Sequence, residues 1–170
     1  MSWIDQLKDG MPDYAKDTKL NIDAVLNRSS LDKIEAEGCA LAAVFATGNS
    51  KLWLWIQSVM EDKTESNAAI IAAVTMSQNN IWYPYVEMAD DPGLKGLPAQ
   101  LRMNAITSHG GTTKARFEVY SLAASIVGKC EFCIAAHYKG LKTMGYTVEN
   151  LRDIGRIASV MTAVSRVMVN

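Results

Sequence analysis

Apolar residues along this chain recur every three to four positions and do not alternate, so the pattern predicts helices and no sheet. The opening segment is polar and broken by Gly10 and Pro12; together with the run from Asp13 to Leu26 it reads as two short helical pieces. Ser29-Ser30-Leu31-Asp32 offers a cap for an alanine-rich helix from Ile34 to Ala46, with Leu41, Val44 and Phe45 on one side and Gly48-Asn49-Ser50 at its end. The next helix carries Leu52, Ile56, Val59 and Met60 at helical spacing, with Trp53 and Trp55 in addition. That coverage suits either a well-buried helix or a subunit interface. Asp62 to Ser66 reads as a polar turn before another helix from Asn67 to Ser77.

The second half follows the same grammar. Asp90 to Gly96 is rich in Asp, Pro and Gly and reads as a loop, and Leu97 to Ile106 as a short helix. His109-Gly110-Gly111 is a predicted turn, in which His109 is an ordinary loop histidine. Thr112-Thr113 caps a helix carrying Phe117, Glu118 and Leu122, and Gly128 is the expected left-handed stop after the apolar run from Tyr120 to Val127. Thr147 caps a last helix whose Ile154, Ile157, Ala158, Met161, Val164 and Met168 keep the 3.6 period to the C-terminus. The fold class expected is all-α, one domain over 1–170 with an N-terminal scaffold half (about 1–89) and a C-terminal half (about 97–170). A 51-residue offset overlays Ala68–Tyr85 on Val119–Ala136, each an alanine-rich helix, a break and a second short helix, with Asn79 and Trp82 where the second copy has Cys130 and Cys133.

Bulk properties narrow the function classes. At 170 residues a sizeable core can be buried, and a net charge of −1 implies no field for nucleic acid or a membrane surface. The first residues have no basic flank followed by an apolar core, and no apolar run reaches the span of a bilayer, so neither a signal peptide nor a transmembrane helix is expected. Three cysteines without such a signal point to a reducing compartment, the cytoplasm, where a cycling disulfide is catalytic.

The chemistry concentrates in Gly128-Lys129-Cys130-Glu131-Phe132-Cys133-Ile134-Ala135-Ala136-His137. At about 100° per residue Cys130, Cys133 and His137 share one helical stripe, which lets His137 touch Cys133 and not Cys130. An i, i+3 pair brings its Cα atoms to roughly 5 to 6 Å, inside the range of a disulfide. A helix beginning near Cys130 lowers a thiol pKa through its first-turn amides and dipole, and His137 one turn on accepts the Cys133 proton or holds its thiolate. Two other readings stand beside this one. Zinc ligation has three ligands here where a closed site takes four, with only Cys39 and His109 left to complete it. Inert core cysteines are the other, and Cys39 in its alanine-rich setting reads that way. Glu118, twelve residues before Cys130, is either a proton relay to Cys130 or a surface glutamate near a helix start.

The combination Glu118-x11-Cys130-x2-Cys133-x3-His137 resembles the active-site pattern of the AhpD family of alkyl hydroperoxidases, in the carboxymuconolactone decarboxylase-like superfamily. Pro12-Asp13-Tyr14-Ala15-Lys16-Asp17, Lys19-Leu20-Asn21, Asn79-Asn80-Ile81-Trp82-Tyr83, Leu101-Arg102-Met103-Asn104 and Lys114-Ala115-Arg116-Phe117-Glu118 look like family segments in order. The resemblance implies an AhpD-like helical bundle assembling into homo-oligomers, with antioxidant peroxidase activity toward hydrogen peroxide and alkyl hydroperoxides. It implies Cys133 as the cysteine oxidised to sulfenic acid, and Cys130 as the proton donor that then closes the Cys130–Cys133 redox disulfide. His137 and Glu118 complete the catalytic set, His137 serving Cys133 and Glu118 serving Cys130. No cofactor, metal or haem is implied; dihydrolipoyl groups of a dihydrolipoyl acyltransferase supply electrons, and the peroxiredoxin AhpC is the partner regenerated. Phe132 departs from the pattern, because family members often have histidine there. A redox adaptor with little peroxidase activity, superfamily decarboxylase chemistry and a non-catalytic scaffold remain as other function classes.

Overall fold

Small side chains let helix backbones approach closely, and the alanine-rich segments accordingly form the centre of the molecule. The computed structural model describes residues 2–168, so Met1 and the end of the expected C-terminal run, Val169 and Asn170, lie outside the described residues. The helices are α1 (Trp3–Asp9), α2 (Lys16–Leu26), α3 (Lys33–Thr47), α4 (Ser50–Val59), α5 (Lys63–Ala89), α6 (Pro92–Lys95), α7 (Ala105–Ser108), α8 (Lys114–Gly128), α9 (Glu131–Thr143) and α10 (Val148–Val167). Single 3-10 turns stand at Asp13–Ala15 and His109–Gly111, and the fold is all-α, with no strand among the described residues. No helix of the described residues is long and apolar enough to cross a membrane.

α3 and α8 pack on each other and each packs on both α5 and α10, so residues from both halves of the chain share one core. The approach of α3 to α8 is tight enough that a Cβ at Gly38 would lie 2.2 Å from Cε1 of the buried Tyr120 ring. Trp55 meets Trp3 and Trp53 meets Phe45, so both added tryptophans of α4 are half-buried within the chain.

Two predicted helices change length, for identifiable reasons. Asp62 to Ser66 is no turn before the helix; Asp62 caps α5 by accepting the Glu65 N–H at 3.0 Å, and Glu65 is buried in its first turn. Glu65 accepts hydrogen bonds from Thr112 Oγ1, Arg116 and Tyr120, which tie the starts of α5 and α8 together. α5 then runs through Pro84 to Ala89 and stops at Asp90, in the left-handed region at φ 48°. The predicted helix over Leu97–Ile106 shrinks to α7, because Pro98 disfavours helix at the residue before it and Gln100 is left-handed at φ 51°.

The 51-residue offset has a spatial counterpart. α5 and α8 run side by side in register, with Glu65 paired to Arg116 at one end and the Asn79 carbonyl 3.8 Å from Cys130 Sγ at the other. The copies part where α8 stops, because Ser77 and Gln78 remain helical where Gly128 and Lys129 turn the chain.

Candidate active site

The turn between α8 and α9 builds the site. Gly128 is the last residue of α8, and the left-handed residue is Lys129 at φ 55°, one position after the expected one. Gly128 is there for space: a Cβ would stand 2.1 Å from Asn80 Nδ2 and 2.8 Å from Asn80 Cβ. Asn80 uses that room to donate to the Ala124 carbonyl at 3.2 Å, pinning α5 to α8 beneath the turn.

Cys130 is the N-cap of α9, its Sγ accepting the Cys133 N–H at 3.2 Å. The two cysteines are joined as a disulfide with Cα atoms 5.2 Å apart, as the i, i+3 spacing allows. Both are buried, Cys130 at 0% and Cys133 at 3% exposure. Cys133 therefore lies in the first turn of α9, where unpaired amides and the helix dipole favour a thiolate.

α9 folds back along α8 and carries His137 to Glu118. Glu118 Oε2 is 2.6 Å from His137 Nδ1, with both side chains mostly buried. Two expectations change here. Glu118 pairs with His137 and not with Cys130, because the antiparallel hairpin sets it opposite the second turn of α9. His137 makes no hydrogen bond to either sulfur in the disulfide form; its Nε2 stands 3.1 Å from Met76 Sδ.

Met76 and Asn79, one turn apart on α5, form the wall facing the dithiol. Asn79 directs Nδ2 at Met76 Sδ from 4.0 Å, and its buried Oδ1 has no partner. Met76 escaped sequence reasoning because a methionine at helical spacing in an alanine-rich helix reads as core. The signals for Asn79 were its overlay on Cys130 at the 51-residue offset and its place in the family-like run Asn79-Asn80-Ile81-Trp82-Tyr83.

Phe132 is half-exposed and stacks on Tyr83, two turns beyond Met76 on α5, with ring centroids 4.2 Å apart. With Pro84, Glu87, Met88 and Glu131 these rings line an open groove of about 230 Å³ beside the dithiol. Cys39 lies apart on α3, fully buried with Sγ 3.8 Å from the Val119 carbonyl; burial, and secondarily the Glu35 charge, push its thiol well above the ordinary range. Among the described residues no three His, Cys, Asp or Glu side chains converge to hold a metal ion.

The Carboxymuconolactone decarboxylase family matches residues 92–169, the half of the chain that holds Glu118, the dithiol and His137. The chain is 39% identical over 168 residues to the alkyl hydroperoxide reductase AhpD of Rhodospirillum centenum, covering 97% of this chain and 90% of that protein. It is also 39% identical to the AhpD of Coxiella burnetii, covering 95% and 94%, and 35% identical to that of Maricaulis maris, covering 97% and 96%. Similarity of this degree along nearly the full length of both sequences, with the dithiol at the head of a helix, places the chain in the AhpD family of alkyl hydroperoxidases, within the carboxymuconolactone decarboxylase-like superfamily.

Proposed function

We propose that this protein is an alkyl hydroperoxide reductase that reduces hydrogen peroxide and alkyl hydroperoxides through a Cys130–Cys133 dithiol/disulfide cycle. Dihydrolipoyl groups restore the dithiol, and the peroxiredoxin AhpC is a partner that it re-reduces. The observation that carries the reading is the joined cysteine pair at the head of α9 with the Glu118–His137 pair one turn along.

The cycle follows from the positions of these groups. Cys133 gives its proton to His137, and the thiolate, favoured by the first-turn amides of α9, attacks a peroxide oxygen. The O–O bond breaks, and the alkoxide leaves with a proton from Cys130, giving alcohol and a Cys133 sulfenic acid. The Cys130 thiolate so formed is held by the Cys133 N–H, the cap bond of α9. It attacks the Cys133 sulfur, the S–S bond forms, and hydroxide leaves as water with a proton from His137, whose ring Glu118 orients. One hydroperoxide and two thiols thus give one alcohol, one water and the disulfide, and exchange with a dihydrolipoyl dithiol returns both thiols.

The exposed apolar strip on the second half of α5, Ile81, Tyr85 and Met88, continues to Phe132 beside the dithiol and supports a contact surface for a lipoyl-bearing partner or for further subunits of a homo-oligomer. A second reading is an adaptor that mainly relays electrons between lipoyl protein and peroxiredoxin. Consumption of a small organic hydroperoxide with dihydrolipoamide as reductant separates the two. Turnover that vanishes in Cys133→Ser and falls sharply in His137→Phe supports the peroxidase. A wild type that does not consume hydroperoxide but cycles its dithiol against a lipoyl or peroxiredoxin partner is the adaptor.

A further inference from the structure

Met76 contacts His137 and has no task in this cycle. Its Sδ is 3.1 Å from Nε2 while Glu118 Oε2 is 2.6 Å from Nδ1, so both ring nitrogens face atoms that accept hydrogen bonds. A thioether has no proton to give, and two lone pairs have no reason to approach this closely. Hydrogen on Nε2 makes this contact a hydrogen bond, and with Nδ1–H on Glu118 the ring then carries both, the second taken up from solvent after the water has left. Met76 is fully buried on α5, and Asn79 points its amide at the same sulfur from 4.0 Å, which fixes where the acceptor stands. Asn79 also lies against Cys130 through its carbonyl, so one turn of α5 spans the dithiol from Cys130 to His137.

We propose that Met76 is a positioning residue for the reductive half of the cycle: in the disulfide state its thioether accepts the Nε2–H of His137 and holds the ring with that proton ready for the sulfur that reduction releases. The proposal rests on the dithiol cycle above, and only on its reductive step. In that step a thiolate of the incoming dithiol attacks one cysteine sulfur. The Cys130–Cys133 bond breaks with its electron pair on the other sulfur, and a mixed disulfide forms. The released thiolate takes the proton from Nε2. The second thiol of the incoming dithiol gives its proton to the ring and attacks the mixed disulfide, whose bond breaks with its electron pair on the remaining cysteine. That cysteine is released as a thiolate, while the incoming dithiol closes its own disulfide. One thiolate, one thiol and one disulfide enter, and one thiolate, one thiol and one disulfide leave. Without the thioether, Nε2–H has no partner and the ring is held from the Glu118 side alone.

The first readout needs no substitution. Nitrogen-15 NMR of the oxidised protein distinguishes the protonation of each ring nitrogen; the chain has two histidines, so His109→Gln assigns the signals. The expected result is hydrogen on Nε2 of His137, and a bare Nε2 overturns the proposal. The second compares the half-reactions. Met76→Leu keeps side-chain volume and removes the acceptor, and losing a hydrogen bond of ordinary strength corresponds to roughly three- to tenfold slower reduction of the disulfide. Reduction is followed with dihydrolipoamide and, separately, with dithiothreitol, while the rate of hydroperoxide attack on the reduced enzyme stays near wild type. Met76→Gln, which offers an oxygen at similar reach, recovers most of the loss. Met76→Leu that reduces within twofold of wild type, or that slows both half-reactions equally, overturns the assignment. Because reduction is read without peroxide, absence of peroxidase activity would end the proposed function and leave this result standing.

Discussion

Removing the charge from Glu118 is the sharpest perturbation of the site. Its carboxylate makes one hydrogen bond, to His137 Nδ1 at 2.6 Å, and the two side chains are 17% and 15% exposed, so solvent screens the pair little. A hydrogen bond to a charged group contributes about 1.5 to 3 kcal/mol and a neutral one about 0.5 to 1.5 kcal/mol. Glu118→Gln keeps an acceptor in place and loses the difference, about 1 to 1.5 kcal/mol, or roughly five- to fifteenfold in rate. Glu118→Ala loses the whole contact, roughly 10- to 150-fold. The assay is stopped-flow consumption of an organic hydroperoxide with excess dihydrolipoamide, together with a denaturant titration, in which Glu118→Gln unfolds close to wild type. The ordering wild type, Gln, Ala is expected. Glu118→Gln within twofold of wild type, or both variants equally slow, would refute the role given to the charged pair.

Three further outcomes are expected. Burial opposes the charge of Asp153, but the Ser30 N–H, Arg156 and Arg152 outweigh it and bring the carboxyl down to about 2. That lowering corresponds to about 2 kcal/mol of stability, fully present above the ordinary aspartate value and lost as pH falls through the folded one. Asp153→Asn therefore unfolds at lower urea at pH 7, and the gap closes toward pH 2. Gly128→Ala pushes the Asn80 side chain off the Ala124 carbonyl and overpacks the turn, costing about 2 to 3 kcal/mol, measured by denaturant unfolding, and slowing turnover as the Cys130 cap shifts. In the reduced native protein a thiol reagent labels Cys130 and Cys133 while Cys39 stays unlabelled until unfolding, as mass analysis of the three peptides will report.

The parts legible in the sequence are those set by local rules. Asp32, Thr113 and Thr147 mark their helix starts by cap chemistry, and the Cys130, Cys133, His137 stripe is a matter of helical period alone. What stayed hidden depends on contacts between distant elements. Glu65 looks like a turn residue until Arg116, Thr112 and Tyr120 are seen to surround it, which is why α5 began four residues early. The partner of Glu118 depends on where the α8–α9 hairpin turns, and moving the left-handed residue from Gly128 to Lys129 is a difference that a glycine signal conceals. Gly128 itself is required by Asn80, a residue 48 positions away.

The central claim, that Cys133 is the sulfur that meets peroxide, is tested most directly in Cys130→Ser, where the sulfenic acid has no thiol to close on. The reduced variant is treated with one equivalent of hydroperoxide and the Cys133 peptide is read by mass spectrometry after a sulfenic-acid trap. Trapped oxygen on Cys133, with Cys39 unchanged and Cys130 unmodified in the converse Cys133→Ser variant, is the expected result. An unmodified Cys133, with oxidation of Cys130 in Cys133→Ser, would contradict it.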